Sequence, residues 1–236
     1  MSTGARKQDA EFDDYAQNYD SALSKGISLS GEDRDFFAQR RIELLTKNLV
    51  ALDFRATKVM DFGCGDGNST PYLLKLPGAE HIHGVDVSSD SIKRAQTNYA
   101  SRNISFDVIK DTLPESKFDL VFSNGVFHHI PLNERPSAIS YIFSALRPGG
   151  LFVLWENNPW NPGTKIIMSR IPFDKDAITL TYLEAKRRIR AGGFNVLSAE
   201  FAFYFPRCLK VFRGLEPALK RIPLGAQYSV LGRKPS

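Results

Sequence analysis

Apolar positions follow two rhythms along this chain. Through about residue 50 they recur at helical spacing: first Phe12, Tyr15 and Tyr19, then Phe36, Phe37, Ile42, Leu44 and Leu45. Side chains three and four apart share one helix face, so residues 11–50 read as helical. The polar stretch 28–33, which contains Gly31, breaks that helix. From Lys58 short apolar runs alternate with amphipathic stretches. Strands are expected at Lys58–Phe62, His81–Asp86, 104–109, 118–123 and 151–155. Helices are expected from the turn after Phe62 through Leu76, at Ser89–Tyr99 and over 135–146, with Pro148-Gly149-Gly150 as a turn. Such alternation predicts parallel strands with helices on both faces, and right-handed crossovers leave few topologies. After residue 156 the rhythm loosens. Residues 157–163 read as loop, 181–191 as a helix stopped at Gly192-Gly193, and 195–203 and 227–232 as strands flanking an amphipathic stretch, 207–221.

A chain of 236 residues, 42% of them hydrophobic, can bury one substantial core. No apolar run approaches the roughly 20 residues that span a bilayer. The polar start, MSTGARKQDAEFDDY, lacks the apolar core of a secretory leader. The two cysteines, Cys64 and Cys208, match no zinc or redox spacing, and such a pair suits a reducing, cytoplasmic setting. The net charge of +5 gathers in Lys186 to Arg190, Arg207 to Arg221, Arg233 and Lys234. A basic cluster of this kind reads first as a solvated face and second as a surface for anions.

The strongest local signal is Val59-Met60-Asp61-Phe62-Gly63-Cys64-Gly65-Asp66-Gly67. A strand runs directly into glycines, which a chain needs where it turns sharply or approaches a ligand closely. Asp86 comes 19 residues after Gly67 at the end of the second strand, where a carboxylate can accept both hydroxyls of a ribose. The dinucleotide fingerprint G-x-G-x-x-G fails here, because Asn68 stands where its third glycine would fall.

Residues 59–67 resemble motif I of the class I S-adenosylmethionine-dependent methyltransferases. The segments Gly84-Val85-Asp86-Val87-Ser88, Asp111, Phe118-Asp119-Leu120-Val121-Phe122-Ser123-Asn124 and Leu146-Arg147-Pro148-Gly149-Gly150 resemble the later motifs of that family, in its order. The resemblance covers residues 12–156 well. It implies an α/β fold: a doubly wound, seven-stranded, mostly parallel sheet whose last strand is antiparallel and inserted beside the fifth. It also implies an N-terminal helical cap over residues 1–50 and a core over 51–236 with substrate-side insertions at 156–180 and 205–224. The implied cofactor is S-adenosylmethionine. Asp61, Gly63 and Gly65 would hold its methionine end, Asp86 and Val87 its ribose side and Asp111 its adenine, with Asn124 at the end of strand four and Tyr19 on the cap. Tyr15 and Tyr19 either face the sulfonium, as aromatic faces attract cations, or simply pack.

Methyl transfer is an in-line displacement whose neutral thioether leaving group needs no acid. The protein must align the acceptor and exclude water, and a base helps when the acceptor carries a proton. His128 and His129, just after strand four, are the candidate bases; otherwise they shape the pocket. Trp155, Glu156, Asn157, Asn158 and Trp160 come off strand five and are candidates to line the acceptor site. No cluster has metal-ligand spacing in the sequence, so no metal is expected.

A small-molecule acceptor is expected. Nucleic acid is disfavoured, since Asn124 is followed by Gly125-Val126-Phe127 and not by the Pro-Pro-aromatic run of base-amine methylating enzymes. The cationic, amphipathic stretch 205–224 lies either on a membrane interface, as a lid on the pocket, or as an ordinary surface helix. A hydrophobic or lipid-linked acceptor goes with the first two. The competing functions are a nicotinamide-dependent oxidoreductase and a non-catalytic S-adenosylmethionine-binding protein acting through a partner.

Overall fold

The computed structural model describes residues 26–109, 116–171, 174 and 177–236. Tyr15, Tyr19 and Asp111 lie outside the described residues. One seven-stranded sheet organises the rest, in the order β3-β2-β1-β4-β5-β7-β6. Its strands are β1 (Lys58–Phe62), β2 (His81–Asp86), β3 (Ile104–Val108), β4 (Phe118–Asn124), β5 (Leu146–Asn157), β6 (Asn195–Ala202) and β7 (Gln227–Arg233). β1 to β5 pair in parallel. β7 runs antiparallel to both β5 and β6, which is the inserted last strand that the family resemblance implied.

Successive residues of the central strands point to opposite faces of the sheet, and each face has its own core. Val59, Leu120, Phe122, Leu151, Val153 and Trp155 fall on one side, with α1 (Arg34–Ala51) and α2 (Ser89–Tyr99) packed over them through Leu45, Leu49, Ile92 and Ala95. Met60, Phe62, Val121, Phe152 and Leu154 fall on the other, under α3 (Arg135–Ala145) and α5 (Tyr182–Ala191). Asp119 ties three strands together, accepting from the Lys58 backbone N–H at 2.8 Å and pairing with Arg147.

Three expectations need correction. The helix expected to reach Leu76 is a 3-10 helix, Thr70–Lys75, with Pro71 in its first turn; its backbone closes i→i−3 bonds, with the Tyr72 and Leu76 N–H groups donating to the Ser69 and Leu73 carbonyls, as in short connecting pieces. Pro148-Gly149-Gly150 is not a turn between elements but a distortion inside β5, where the register with β4 shifts between Phe118 and Leu120 and Gly149 takes a φ of 76°. The loop read at 157–163 ends early, because Asn161 caps α4 (Pro162–Ser169) by accepting from the Thr164 backbone N–H at 2.9 Å, with Pro162 in the first turn. The amphipathic stretch 207–221 is a kinked 3-10 segment, Arg207–Leu215, followed by the short α6 (Glu216–Leu219).

Candidate functional site

The C-terminal ends of β1, β2, β4 and β5 open into a cavity of about 950 Å³. Its position agrees with the rule that ligands of doubly wound sheets bind beyond the carboxyl ends of the strands. At one end lies the glycine turn after β1. Gly63 has a φ of 74° and Gly65 a φ of 55°, backbone that favours glycine. A Cβ on Gly63 would come within 2.3 Å of the Val126 side chain, whereas one on Gly65 would meet nothing within 4 Å. The backbone at Gly65 is therefore bare toward the cavity.

Two carboxylates stand beside this turn, Asp61 buried and Asp86 half-buried. Asp86 accepts from the Gly65 backbone N–H at 2.8 Å and from the Ser88 N–H at 3.0 Å. Burial raises its pKa against the pull of those bonds. Ser88, not Asp86, caps α2, accepting from the Ser91 N–H at 3.1 Å. Asp61 is 3% exposed and accepts from the Thr70 hydroxyl at 2.7 Å. Burial, reinforced by the charge of Asp86 and opposed by the Thr70 bond, pushes its pKa up to about 7. A group so placed gains most from a cation brought alongside. Val87 and Asn124 both line the cavity. Asp66 also lines it, paired with Arg34 at 3.3 Å. Cys64 sits against the core with its thiol pKa raised by burial.

The other polar pole lies after β4. Gly125, with a φ of 68°, donates to the Trp155 carbonyl at 2.9 Å and turns the chain back toward β5. Glu156, 1% exposed, then grips this loop with both oxygens, accepting from the Phe127 backbone N–H at 2.7 Å and from His128 Nδ1 at 2.6 Å. His128 Nε2 and His129 Nε2 lie 3.6 and 3.4 Å from Asp174 Oδ1. Burial disfavours charge on His128, but the Glu156 and Asp174 carboxylates outweigh it and raise its pKa to about 10. Burial and the charge of His128 push the pKa of His129 far down. His128, His129 and Asp174 all border the cavity.

An aromatic and basic wall faces these two poles. Phe36, Phe37 and Arg41 of α1 meet Phe203, with the Phe37 and Phe203 rings 5.0 Å apart and the Arg41 guanidinium 5.8 Å from the Phe203 ring. Arg213 closes one side, donating to Glu32 at 2.8 Å over the Phe36 ring. The strand-five candidates divide. Asn157 lines the cavity, but Trp155 is buried in the core and Asn158 donates to the Pro223 and Gly225 carbonyls. Trp160 packs edge-on against Tyr182. Glu156, read as a pocket-lining residue, instead holds His128. Sequence reasoning missed Asp174 and the wall of Phe36, Phe37, Arg41 and Phe203; only the helical spacing of the phenylalanines in α1 carried any signal.

Residues 59–150 match the family model of a methyltransferase domain. The chain is 29% identical over 118 residues to trans-aconitate 2-methyltransferase of Rhodopseudomonas palustris, covering 50% of this chain and 45% of that protein. It is 26% identical over 165 residues to phosphoethanolamine N-methyltransferase of Plasmodium falciparum, covering 66% and 60%. The chain thus spans about half the length of the curated relatives it matches. Among solved structures, a TehB-like SAM-dependent methyltransferase from Corynebacterium glutamicum superposes with a TM-score of 0.59 at 20% identity, covering 96% of this chain and 99% of that one. At that identity the likeness speaks to fold alone.

Proposed function

Because this chain belongs to the class I S-adenosylmethionine-dependent methyltransferase family, we propose that it transfers the methyl group of S-adenosylmethionine to a small-molecule acceptor. The observation that carries this reading is a single cavity bordered by both the bare glycine turn with Asp61 and Asp86 and the polar cluster of His128, His129 and Asp174.

The residues at the first pole fit the cofactor. Gly65 leaves its backbone open, Asp86 offers a carboxylate where a ribose would lie, and Asp61 offers one to the cationic methionine end. Val87 and Asn124 flank that pole, and we extend the assignment to Tyr19 and Asp111. When bound, S-adenosylmethionine supplies an electrophilic methyl group on a sulfonium, which leaves as a neutral thioether. The chain's own task is then orientation and water exclusion. Phe36, Phe37 and Phe203 keep the space between the poles apolar; His128, held charged by its carboxylates, aligns the acceptor, and His129, kept neutral by burial and the charge of His128, is the member able to take its proton. His128 and His129 are the catalytic candidates, with Glu156 as the positioning residue of His128.

The acceptor class is supported by a cavity of about 950 Å³ and by relatives named for small acceptors. A second reading concerns access. Val211, Leu215 and Leu224 are 79%, 55% and 60% exposed, interleaved with exposed Lys210, Lys220 and Arg221, and the same segment borders the cavity through Phe205 and Pro206. We propose that this face rests on an anionic membrane and admits a hydrophobic or lipid-linked acceptor. No helix among the described residues is long and apolar enough to cross a membrane. Absence of co-sedimentation with both anionic and neutral liposomes would remove this reading.

The direct test is calorimetric titration with S-adenosylmethionine, S-adenosylhomocysteine and NADH. Saturable binding of the two sulfur ligands, weakened in Asp86→Ala, is expected, followed by methyl transfer in an acceptor screen. Binding of NADH in their place would point to the oxidoreductase. Ligand binding with no transfer to any acceptor would favour a cofactor-binding protein that works through a partner.

A further inference from the structure

We propose that His128, His129 and Asp174 form a binding site for one four-coordinate divalent cation of the zinc type, with the open fourth position facing the cavity. The inference rests on the reading of this cluster as the acceptor end of the site; with the ion bound, the two histidines act as ligands in place of bases, and the ion takes over the lowering of the acceptor's proton affinity.

The geometry begins with Asp174. It is 7% exposed, and among the described residues its buried Oδ1 accepts no hydrogen bond of ordinary length. A buried carboxylate oxygen without a donor is costly. Two imidazole nitrogens face this oxygen, His128 Nε2 at 3.6 Å and His129 Nε2 at 3.4 Å. Both distances exceed the usual span of an N–H···O bond. They match a different spacing. A tetrahedral zinc ion with arms of about 2.0–2.1 Å sets its ligand atoms about 3.3–3.4 Å apart, whereas six-coordinate geometry with the same arms brings them to about 2.9 Å. One ligand atom from each of the three residues lies within 4.8 Å of the other two.

The surrounding shell points the same way. Glu156 accepts from His128 Nδ1 at 2.6 Å, which fixes that ring and leaves Nε2 as its ligating atom. A carboxylate holding the far nitrogen of a ligating histidine is the recurrent outer shell of zinc sites. Two imidazoles and one carboxylate suit zinc over magnesium or calcium, which prefer all-oxygen ligands. Three protein ligands with the fourth position open characterise catalytic sites, not structural ones. All three residues border the cavity, so the fourth position takes an oxygen of the acceptor. The site therefore selects acceptors that carry a hydroxyl or carboxylate beside the methylated atom, and the ion lowers the proton affinity of that oxygen. No spacing motif announces this site, because Asp174 is remote in the chain from the two histidines.

The test uses the full chain, stripped with chelator and titrated with Co²⁺ without cofactor. An intense visible absorption band saturating at one equivalent, abolished by stoichiometric Zn²⁺, is expected for a four-coordinate site. Asp174→Asn and His129→Gln should each lose the band, and Glu156→Gln should weaken Zn²⁺ binding about 10- to 100-fold. Circular dichroism melts and S-adenosylhomocysteine titrations on each variant separate lost ligands from lost fold. No Co²⁺ binding by the folded wild type overturns the proposal, as does binding that survives both ligand variants, or a weak six-coordinate spectrum. Metal binding without S-adenosylhomocysteine binding would leave this site standing and sink the methyl-transfer reading; the reverse result would do the opposite.

Discussion

Gly63 and Gly65 share a left-handed backbone but differ in surroundings, and that difference separates stability from binding. Gly63→Ala places a methyl group 2.3 Å from Val126. It should cost about 1–2 kcal/mol for the backbone and roughly 1–3 kcal/mol more for overpacking, read by urea unfolding. Gly65→Ala meets no neighbour, so only the backbone cost applies, yet its methyl group enters the space proposed for the cofactor. It should be the more stable variant and the weaker binder of S-adenosylhomocysteine; the opposite order would show that the cradle lies elsewhere. Asp61 sets a pH dependence. Its folded pKa of about 7 lies above the unfolded value, so its contribution to stability is present in full below about pH 4 and is lost as pH rises through about 7. A sulfonium ligand reverses the preference by favouring the charged carboxylate. Affinity for S-adenosylmethionine should therefore rise between about pH 5 and 8, and Asp61→Asn should flatten that rise. A profile unchanged by the substitution would remove Asp61 from the cofactor site.

Among the elements, α4 forms a wall of the cavity through Ile167 and Met168, and one side chain anchors its start. Asn161 caps the helix and also donates to the Leu224 carbonyl at 2.6 Å. Asn161→Ala should cost about 1 kcal/mol, whereas Asn161→Ser keeps a capping oxygen and loses the second bond without setting a charge against the Leu224 carbonyl. Equal melting temperatures for the two variants would show that the cap is not the anchor. This helix also shows where the sequence is hard to read. Pro159 and Pro162 look like loop signals, but Pro162 stands at the first helical turn behind a capping Asn, where proline is at home. The central strands β1, β4 and β5 were legible because they are buried on both faces and read as near-continuous apolar runs, and the edge strand β3 because buried Ile104 and Phe106 alternate with exposed Ser105 and Asp107. The 207–215 segment has a clear apolar stripe, yet it forms a kinked 3-10 helix with non-helical backbone at Leu209, a distinction that periodicity does not carry. His128 and Glu156 are far apart in sequence; only the pairing of Asn124 with Trp155 across β4 and β5 brings them together.

On the scale of the whole molecule, the cavity has two builders. The pole proposed for the cofactor rests on β1, β2 and β4. The opposing wall rests partly on the segment between β6 and β7, through Phe203 to Pro206 and Arg213, and on Ala226 and Gln227 where β7 begins. In the sheet, β6 pairs only with β7, which lies between it and β5. This places a clock in the topology. As the chain leaves the ribosome, all five parallel strands emerge while β6 still has no sheet edge to join, and long-range pairing of this kind forms late. Arrested nascent chains exposed through residue 192 should already label with a photoreactive S-adenosylhomocysteine analogue, although protease should still cut them readily after β5. Labelling that begins only once β7 has emerged would refute that order. On that order, a newborn chain would hold the proposed methyl donor before it had finished the chamber proposed to select the recipient.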